Sequence, residues 1–343
     1  MYRTEIATKE ELQNWNQIIS RCPYSEAIHT LEWRDALTKS FKQMEPLYFV
    51  IKDHQGDIVG AMPCFLFSPV PFSRTLLSMP WTLPGGLLSF YETDVESTIL
   101  SALCKFDDIS HERHLSEVTI TLSARCNDNI SKSLNSNGYI KFTSQFTHAL
   151  NTENGYESVW TAYNKRVRGA VRKAEKEGVI VRESEDEEDM IYFYKMYLAM
   201  MNHFNSTPKP YSLLRYLQTS KIARLVVAQL DNRIIGGLLF LHFNSCVRLW
   251  CETSDPEFLS YRPNNAIIDY IVRWSCDNGY CFVDFGASPP GNEGLVAFKE
   301  EWGAKKAWFS TFTKVYSPWR KKLWTLSEPS VRRIYAAIQR FRV

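Results

Sequence analysis

The chain has 343 residues, of which 45% are hydrophobic and 23% charged, with a formal net charge of +2. This composition excludes a wholly disordered chain, and a charge so near balance leaves any case for nucleic-acid binding to local clusters. Residues 1–15 are polar, with no apolar core of a secretion signal, and no apolar run approaches the roughly 20 residues that span a bilayer, so a cytoplasmic protein is expected.

In chain order, helical spacing covers 9–20 and 31–41. Strands are predicted at Leu47–Lys52 and Ile58–Phe67, joined as a hairpin through Asp53–Gly56. Residues 69–86, punctuated by Pro69, Pro71, Pro80, Pro84, Gly85 and Gly86, read as an ordered loop with one short strand. A helix at 93–106, a strand at Val118–Leu122, a helix at 128–136 and a strand from Tyr139 complete a first unit.

After a polar linker at 151–155 the same grammar returns. A helix over 156–176 stops at Gly178, and a strand Val179–Glu183 follows. The acidic run Glu183–Asp189 favours a helix start through the helix dipole and reads as a solvated face rather than a metal site. Next come a helix at 210–219, a strand Ala223–Leu230, a turn at Asp231–Arg233 and strands Ile235–Phe243 and Val247–Glu252. A helix from Pro263 to Gly279, a strand Cys281–Phe285, a helix at 293–301 and a strand Ala307–Val315 close the second unit. Two α+β units, 1–150 and 151–316, with 317–343 as a basic aromatic helical tail, are the expected organisation.

Eight cysteines (Cys22, Cys64, Cys104, Cys126, Cys246, Cys251, Cys276 and Cys281) show no zinc-type spacing. The last four fall in apolar or strand-like stretches and are expected to be buried, reduced thiols.

Three stretches carry candidate chemistry. In the first, Lys165, Arg168, Arg172 and Lys176 recur every three or four residues and share one helix face. Such a stripe suits a pyrophosphate, a nucleotide-linked sugar or RNA, and equally suits a solvated surface softened by Glu175 and Glu177. In the second, Glu252 ends an apolar strand, and Tyr261, Arg262, Pro263, Asn264 and Asn265 open a helix. The amides of that first turn suit an anion or a carbonyl, and ordinary capping fits as well. In the third, Asp284 and Gly286 stand at a strand end, and Phe298-Lys299 lies just before Trp302-Gly303. There Lys299 reads alternatively as a plain exposed lysine and Asp284 as a helix cap.

Together these stretches resemble the FemABX-type aminoacyltransferases and their FemAB-like (BioF2-like) relatives in the GNAT superfamily. The resemblance rests on the run Lys165, Arg168, Arg172, Lys173, Ala174, Glu175, Lys176, Gly178, on Pro263-Asn264-Asn265, and on Asp284-Phe285-Gly286 with Phe298-Lys299 and Gly303. Trp33, Gly60-Ala61-Met62-Pro63, Pro80 and Gly85-Gly86 extend it over nearly the whole chain.

It implies an α+β (mixed α/β) fold of tandem GNAT-like domains, each a mostly antiparallel twisted sheet flanked by helices. It also implies N-aminoacyl or acyl transfer to an amine of a small, lipid-linked or envelope-related acceptor, as in peptidoglycan biosynthesis. The implied donor is aminoacyl-tRNA or an acyl thioester, with no metal or other cofactor. Phe298 and Lys299 match the family position near the donor's reacting end, and Arg168 and Arg172, with Lys165, resemble the part that meets phosphates. Tyr261, Asn264, Asn265 and Trp33 complete the expected substrate contacts.

One departure bears on the donor. CoA-using GNAT enzymes cradle pyrophosphate on a glycine-rich loop, and residues 259–266 carry no glycine, so acetyl-CoA binding is expected to be weak. The expected mechanism is direct attack on an activated ester, with Lys299 as the cation beside the oxyanion and Glu252 or Asp284 as proton acceptor. GNAT-like domains splay two parallel strands apart and free their amides; Val247–Glu252 and Cys281–Phe285 are expected to be that pair. Two rivals remain: an acyl-CoA or acyl-carrier-protein dependent N-acyltransferase of an amino sugar or amino acid, and a non-catalytic GNAT-like module that binds phosphate or RNA. The tail mixes basic and aromatic residues, which suits the inner face of an anionic membrane, RNA, or a helix packed on the body.

Overall fold

In the computed structural model, which describes residues 2–91, 95–124, 128–289 and 291–340, the chain divides into two units. One holds the residues up to Phe146 together with Trp308–Ser330, and the other holds Thr147–Ala307 with the residues from Val331. Cys126 and residues 341–343 of the expected tail lie outside the described residues.

In the first unit, β1 (Arg3–Ile6), β2 (Met44–Lys52), β3 (Ile58–Val70), β4 (Ser73–Leu77), β5 (Leu88–Ser89) and β6 (Glu117–Thr121) run in the order β1-β2-β3-β4-β6, with β5 on β3. The β2–β3 hairpin turns where the sequence places it. The Asp53 carboxylate accepts the amides of Gln55 and Asp57, and Gly56 takes φ 92, the local chemistry of an Asx turn. Neighbouring strands are antiparallel except β4 and β6, whose parallel ladder runs from Thr75–Glu117 to Leu77–Thr119.

Past that ladder the chain fills its own mouth. A Cβ on Gly85 would stand 2.6 Å from the Cβ of Met79, and one on Gly86 3.1 Å from the Thr121 carbonyl. Trp33 packs into the same region: it is fully buried, its indole N–H donates to Met79 Sδ at 3.2 Å, and its ring meets Trp81 edge-on. The expected substrate contact at Trp33 is therefore corrected to a core residue. The rest of this core sets Phe49, Met62 and Ile120 against Ile99, Leu103 and Phe106 of the helix Val95–Glu112, one helical face by spacing.

Strand β7 (Ile140–Asn151) leads into the second unit, which holds β8 (Ile180–Ser184), β9 (Ala223–Leu230), β10 (Arg233–Phe243), β11 (Cys246–Ser254) and β12 (Phe282–Ala287). Their order is β7-β12-β11-β10-β9-β8, antiparallel except for β11 and β12. Strand β13 (Lys305–Val315) then leads back, and its residues Thr311–Val315 pair with β6. So the expected boundary at 151–155 falls after Phe146, and residues 308–330 belong to the first unit. There Lys321 pairs with Glu117 at 2.5 Å and Arg320 donates to the His114 carbonyl at 2.6 Å.

The single helix expected over 156–176 is two, Gly155–Ala162 and Lys165–Lys176. Tyr163 turns to ψ 139, and the Asn164 side chain accepts the Arg166 amide at 3.0 Å, an N-cap that asparagine makes well. The acidic run begins the helix Glu187–His203 through Asp186, whose carboxylate accepts the Glu188 amide at 2.8 Å. Its neighbours are paired, Glu183 with Arg224 and Asp189 with Arg182, each at 2.7 Å. The core joins Val167, Val171 and Ala174 to Ile267, Ile271, Phe240, Val283 and Trp302.

The described cysteines are free thiols; Cys246 and Cys251 are buried, whereas Cys276 and Cys281 are half-buried. Among the described residues no helix is long and apolar enough to cross a membrane.

Candidate active site

The parallel ladder of β11 and β12 covers Cys246–Phe282, Val247–Val283 and Arg248–Asp284, and there it stops. Beyond it β11 continues to Ser254 and β12 to Ala287 without pairing to each other. Two local features set this divergence. The β10 register passes from Leu239–Cys251 to Phe240–Leu249, so that β11 carries one extra residue, Trp250, at that point, a bulge that bends and twists its strand. On β12, Gly286 takes φ 72, a backbone region that side chains disfavour.

The last rung of the ladder is also an ion pair. Arg248 Nη2 lies 3.1 Å from Asp284 Oδ2, and both side chains are 6% exposed. Thr147 donates its hydroxyl to Asp284 Oδ1, and the Gly286 amide donates to the same oxygen at 2.6 Å. Both carboxylate oxygens are thus engaged within the strand end. Asp284, expected as a candidate base, is corrected to a positioning group that fixes the end of β12. Its worth lies in the pairing: removing one partner of a buried ion pair strands the other charge, a cost of about 3–5 kcal/mol.

Lys299 comes from the helix Glu293–Glu300 and is buried at 5% exposure, not the surface lysine of the alternative reading. Its ammonium donates to the carbonyls of Gly286 at 2.7 Å and Ala287 at 3.3 Å. Burial pushes its pKa down to about 8, against the upward pull of Asp284 and Glu252. Glu252, partly covered near the end of β11, is pushed up to about 7 by burial while Lys299 pulls it down. Each of the two groups thus feels the charge of the other. His148 of β7 completes the cluster: it is fully buried, and burial together with Lys299 holds its pKa below the ordinary histidine value.

Aromatic rings wall this cluster. Trp302, fully buried, meets Tyr163 edge-on at 4.9 Å and Phe298 at 6.1 Å, and tilts on Phe285 at 6.1 Å. Phe298 is thereby a half-buried part of the wall beside Lys299.

The basic stripe divides in two. Arg168 turns inward, and its guanidinium donates to the carbonyls of Trp160, Thr161 and Tyr163. A cation at the end of the helix Gly155–Ala162 complements its dipole, so Arg168 is corrected from phosphate contact to helix cap. Lys165, Arg172 and Lys176 stay exposed, with the Arg172 guanidinium 5.6 Å from the Trp160 ring centre. This helix adjoins that of Lys299. The Asn164 amide donates to the Glu301 carbonyl at 2.8 Å, and Arg166 pairs with the Glu301 carboxylate at 3.0 Å.

Tyr261, Asn264 and Asn265 are half-buried around the start of the helix Pro263–Asp277, behind Arg262 at φ 63. The Asn264 Oδ1 is buried without a hydrogen-bond partner. No hydrogen bond, ion pair or ring contact joins these three residues to Lys299 among the described residues.

Sequence reasoning missed Arg248, Thr147 and His148. Arg248 left a signal, a lone charge inside the apolar run Cys246–Trp250; the other two are set by the β7–β12 register, which no local pattern announces.

Residues 162–300 match a family model described as an acetyltransferase (GNAT) domain. No curated protein matches the chain by sequence. Among solved structures, FemX is similar over 94% of this chain and 99% of its own, with a TM-score of 0.75 at 14% identity. A tandem GNAT protein from the clavulanic acid biosynthesis pathway covers 93% of this chain and 99% of its own, with a TM-score of 0.58 at 12% identity. L-PGS from Bacillus licheniformis covers 98% of both chains, with a TM-score of 0.57 at 12% identity. The matched segment encloses the basic helix, the diverging strands and Lys299.

Proposed function

We propose that the chain transfers an acyl or aminoacyl group to an amine where β11 and β12 part, a reading supported by the match of residues 162–300 to an acetyltransferase (GNAT) domain model and by the likeness of the fold to FemX. The observation that carries this is the buried Lys299 ammonium, bonded to Gly286 and Ala287 and coupled to Glu252. Two of its N–H bonds are held by those carbonyls, and the third would serve a reacting carbonyl. As the amine attacks, the C–N bond forms and the carbonyl oxygen gains the charge that Lys299 stabilises. Glu252 takes the proton shed by the nitrogen and returns it to the leaving oxygen as the ester C–O bond breaks. The scheme draws on no metal or further cofactor.

The donor favoured is aminoacyl-tRNA. Lys165, Arg172 and Lys176 present exposed charge on the helix that adjoins Lys299 through Asn164 and Glu301, a suitable track for phosphates. Arg262 occupies a left-handed position just before the Pro263 helix, where a glycine-rich loop would approach a CoA pyrophosphate. Aminoacyl-tRNA is a cytoplasmic donor, so the reaction is placed in the cytoplasm, with a small, lipid-linked or envelope-related amine as acceptor.

The test is transfer of a radiolabelled amino acid from aminoacyl-tRNA to a panel of amines, set beside acetyl-CoA as donor. Transfer from aminoacyl-tRNA that disappears in Lys299→Met supports the reading. Transfer from acetyl-CoA alone reassigns the donor, and RNA binding with no transfer from either donor overturns the enzyme.

A further inference from the structure

The helix Pro318–Arg340 makes its contacts with one face and leaves an apolar stripe on the other. Lys321 pairs with Glu117, Trp324 meets Phe67 edge-on at 6.3 Å, and Gln339 is buried at 6% exposure. On the opposite side Trp319, Leu323, Leu326, Ile334 and Ile338 are 59, 43, 70, 63 and 44% exposed. At 100° per residue these five fall within about a third of the helix circumference. An ordinary surface helix turns its apolar stripe to the core; here the stripe faces out.

Charge accompanies the stripe. Residues 318–340 hold six basic side chains and one acidic, Glu328. Lys322 and Arg333 are exposed and flank the stripe on one side, and the Arg320 guanidinium lies 5.2 Å from the Trp319 ring centre. Four of the five outward residues are leucine or isoleucine, which gain by leaving water but offer no platform for stacking bases. Against a second copy of the same helix, the Lys322 and Arg333 rows would meet their own kind.

From this geometry we propose that the Pro318–Arg340 helix binds the surface of an anionic phospholipid bilayer, lying in its plane. Trp319, Leu323, Leu326, Ile334 and Ile338 enter the headgroup–acyl boundary, and Lys322 and Arg333 meet lipid phosphates, the arrangement of an interfacial helix. This inference stands apart from the reaction proposed above.

The test is sedimentation of the full chain with vesicles of phosphatidylcholine alone or with about one third phosphatidylglycerol. Binding should require phosphatidylglycerol and weaken with salt. Leu326→Ser with Ile334→Ser should lower it at least about tenfold, and Lys322→Glu with Arg333→Glu should reduce it to the level of neutral vesicles. All four side chains are exposed, so both double variants should melt with the wild type. Undiminished vesicle binding by the leucine–isoleucine variant overturns the proposal. So does a failure of the wild type to bind vesicles, whether it instead retains tRNA on a filter in a manner lost with Lys322 and Arg333, or forms a dimer that the apolar variant disperses.

Discussion

The Lys299 ammonium donates to the Gly286 carbonyl at 2.7 Å, while the amide of that same glycine donates to Asp284 at 2.6 Å. One residue of β12 therefore links the buried Arg248–Asp284 pair to the buried lysine. The pair sets where the strand ends, and the strand end sets where the ammonium points.

Lys299→Met keeps the alkyl stem and removes the charge. A cation beside a developing oxyanion stabilises the transition state more than the bound substrate, so kcat should fall by roughly a hundredfold with KM little changed. The melting temperature should move by only a few degrees, since the lost hydrogen bonds are offset by relief from burying a charge. A fully active, stable variant would place the chemistry elsewhere.

The Arg248–Asp284 pair yields a stability prediction with its own control. Asp284→Asn leaves a buried guanidinium without its counter-charge and should cost about 3–5 kcal/mol, as should Arg248→Met for the reverse reason. Combining the two should cost clearly less than their sum. Denaturant melts of the three variants decide this, and strict additivity would mean that the two charges do not interact.

Glu252 predicts opposite pH trends in stability and activity. Its proton is held to about 7 in the folded chain, against an ordinary value of 4.5. Between those limits the folded state keeps a proton that the unfolded state has released, so stability falls as pH rises and levels off above about 7. Glu252→Gln should therefore melt several degrees above the wild type at pH above about 7 and match it below about pH 4.5. Activity should rise as Glu252 ionises near 7 and fall as Lys299 loses its proton near 8, a narrow bell in kcat/KM, which follows the groups of the free enzyme. The acid limb should vanish in Glu252→Gln.

Much of this was legible because it is periodic or punctuated. Alternation marked the β2–β3 hairpin, and helical spacing marked Lys165–Lys176, whereas the parting of β11 and β12 was expected from the family resemblance alone. Lys299 stood out by its place before Trp302-Gly303. The losses came where distant chain decides. The sequence cannot show that Thr311–Val315 pairs with β6 from nearly two hundred residues earlier, and so it groups those residues with the second unit and not with the first. Nor does spacing reveal that Met79 waits for the Trp33 indole. Arg168 was misread for a nearer reason: Asn164 caps a new helix, and the break hands Arg168 a set of open carbonyls.

That break separates two kinds of arginine on one stripe and gives the last prediction. Arg168 caps the helix Gly155–Ala162 from within, so Arg168→Ala should lower the melting temperature by several degrees, the scale of a lost helix cap. Arg172 and Lys176 are exposed on the same helix, and Arg172→Ala with Lys176→Ala should leave the melt unchanged. If those two side chains meet donor phosphates, the double variant should raise the donor KM. It should also flatten the plot of log affinity against log salt by about 1 to 2, the share of two phosphate contacts. The comparison needs both variants, because loss of function in Arg168→Ala alone reports only a loosened helix. A double variant with wild-type affinity and salt dependence would show the exposed stripe to be a solvated face, and the aminoacyl-tRNA donor would lose its main structural support.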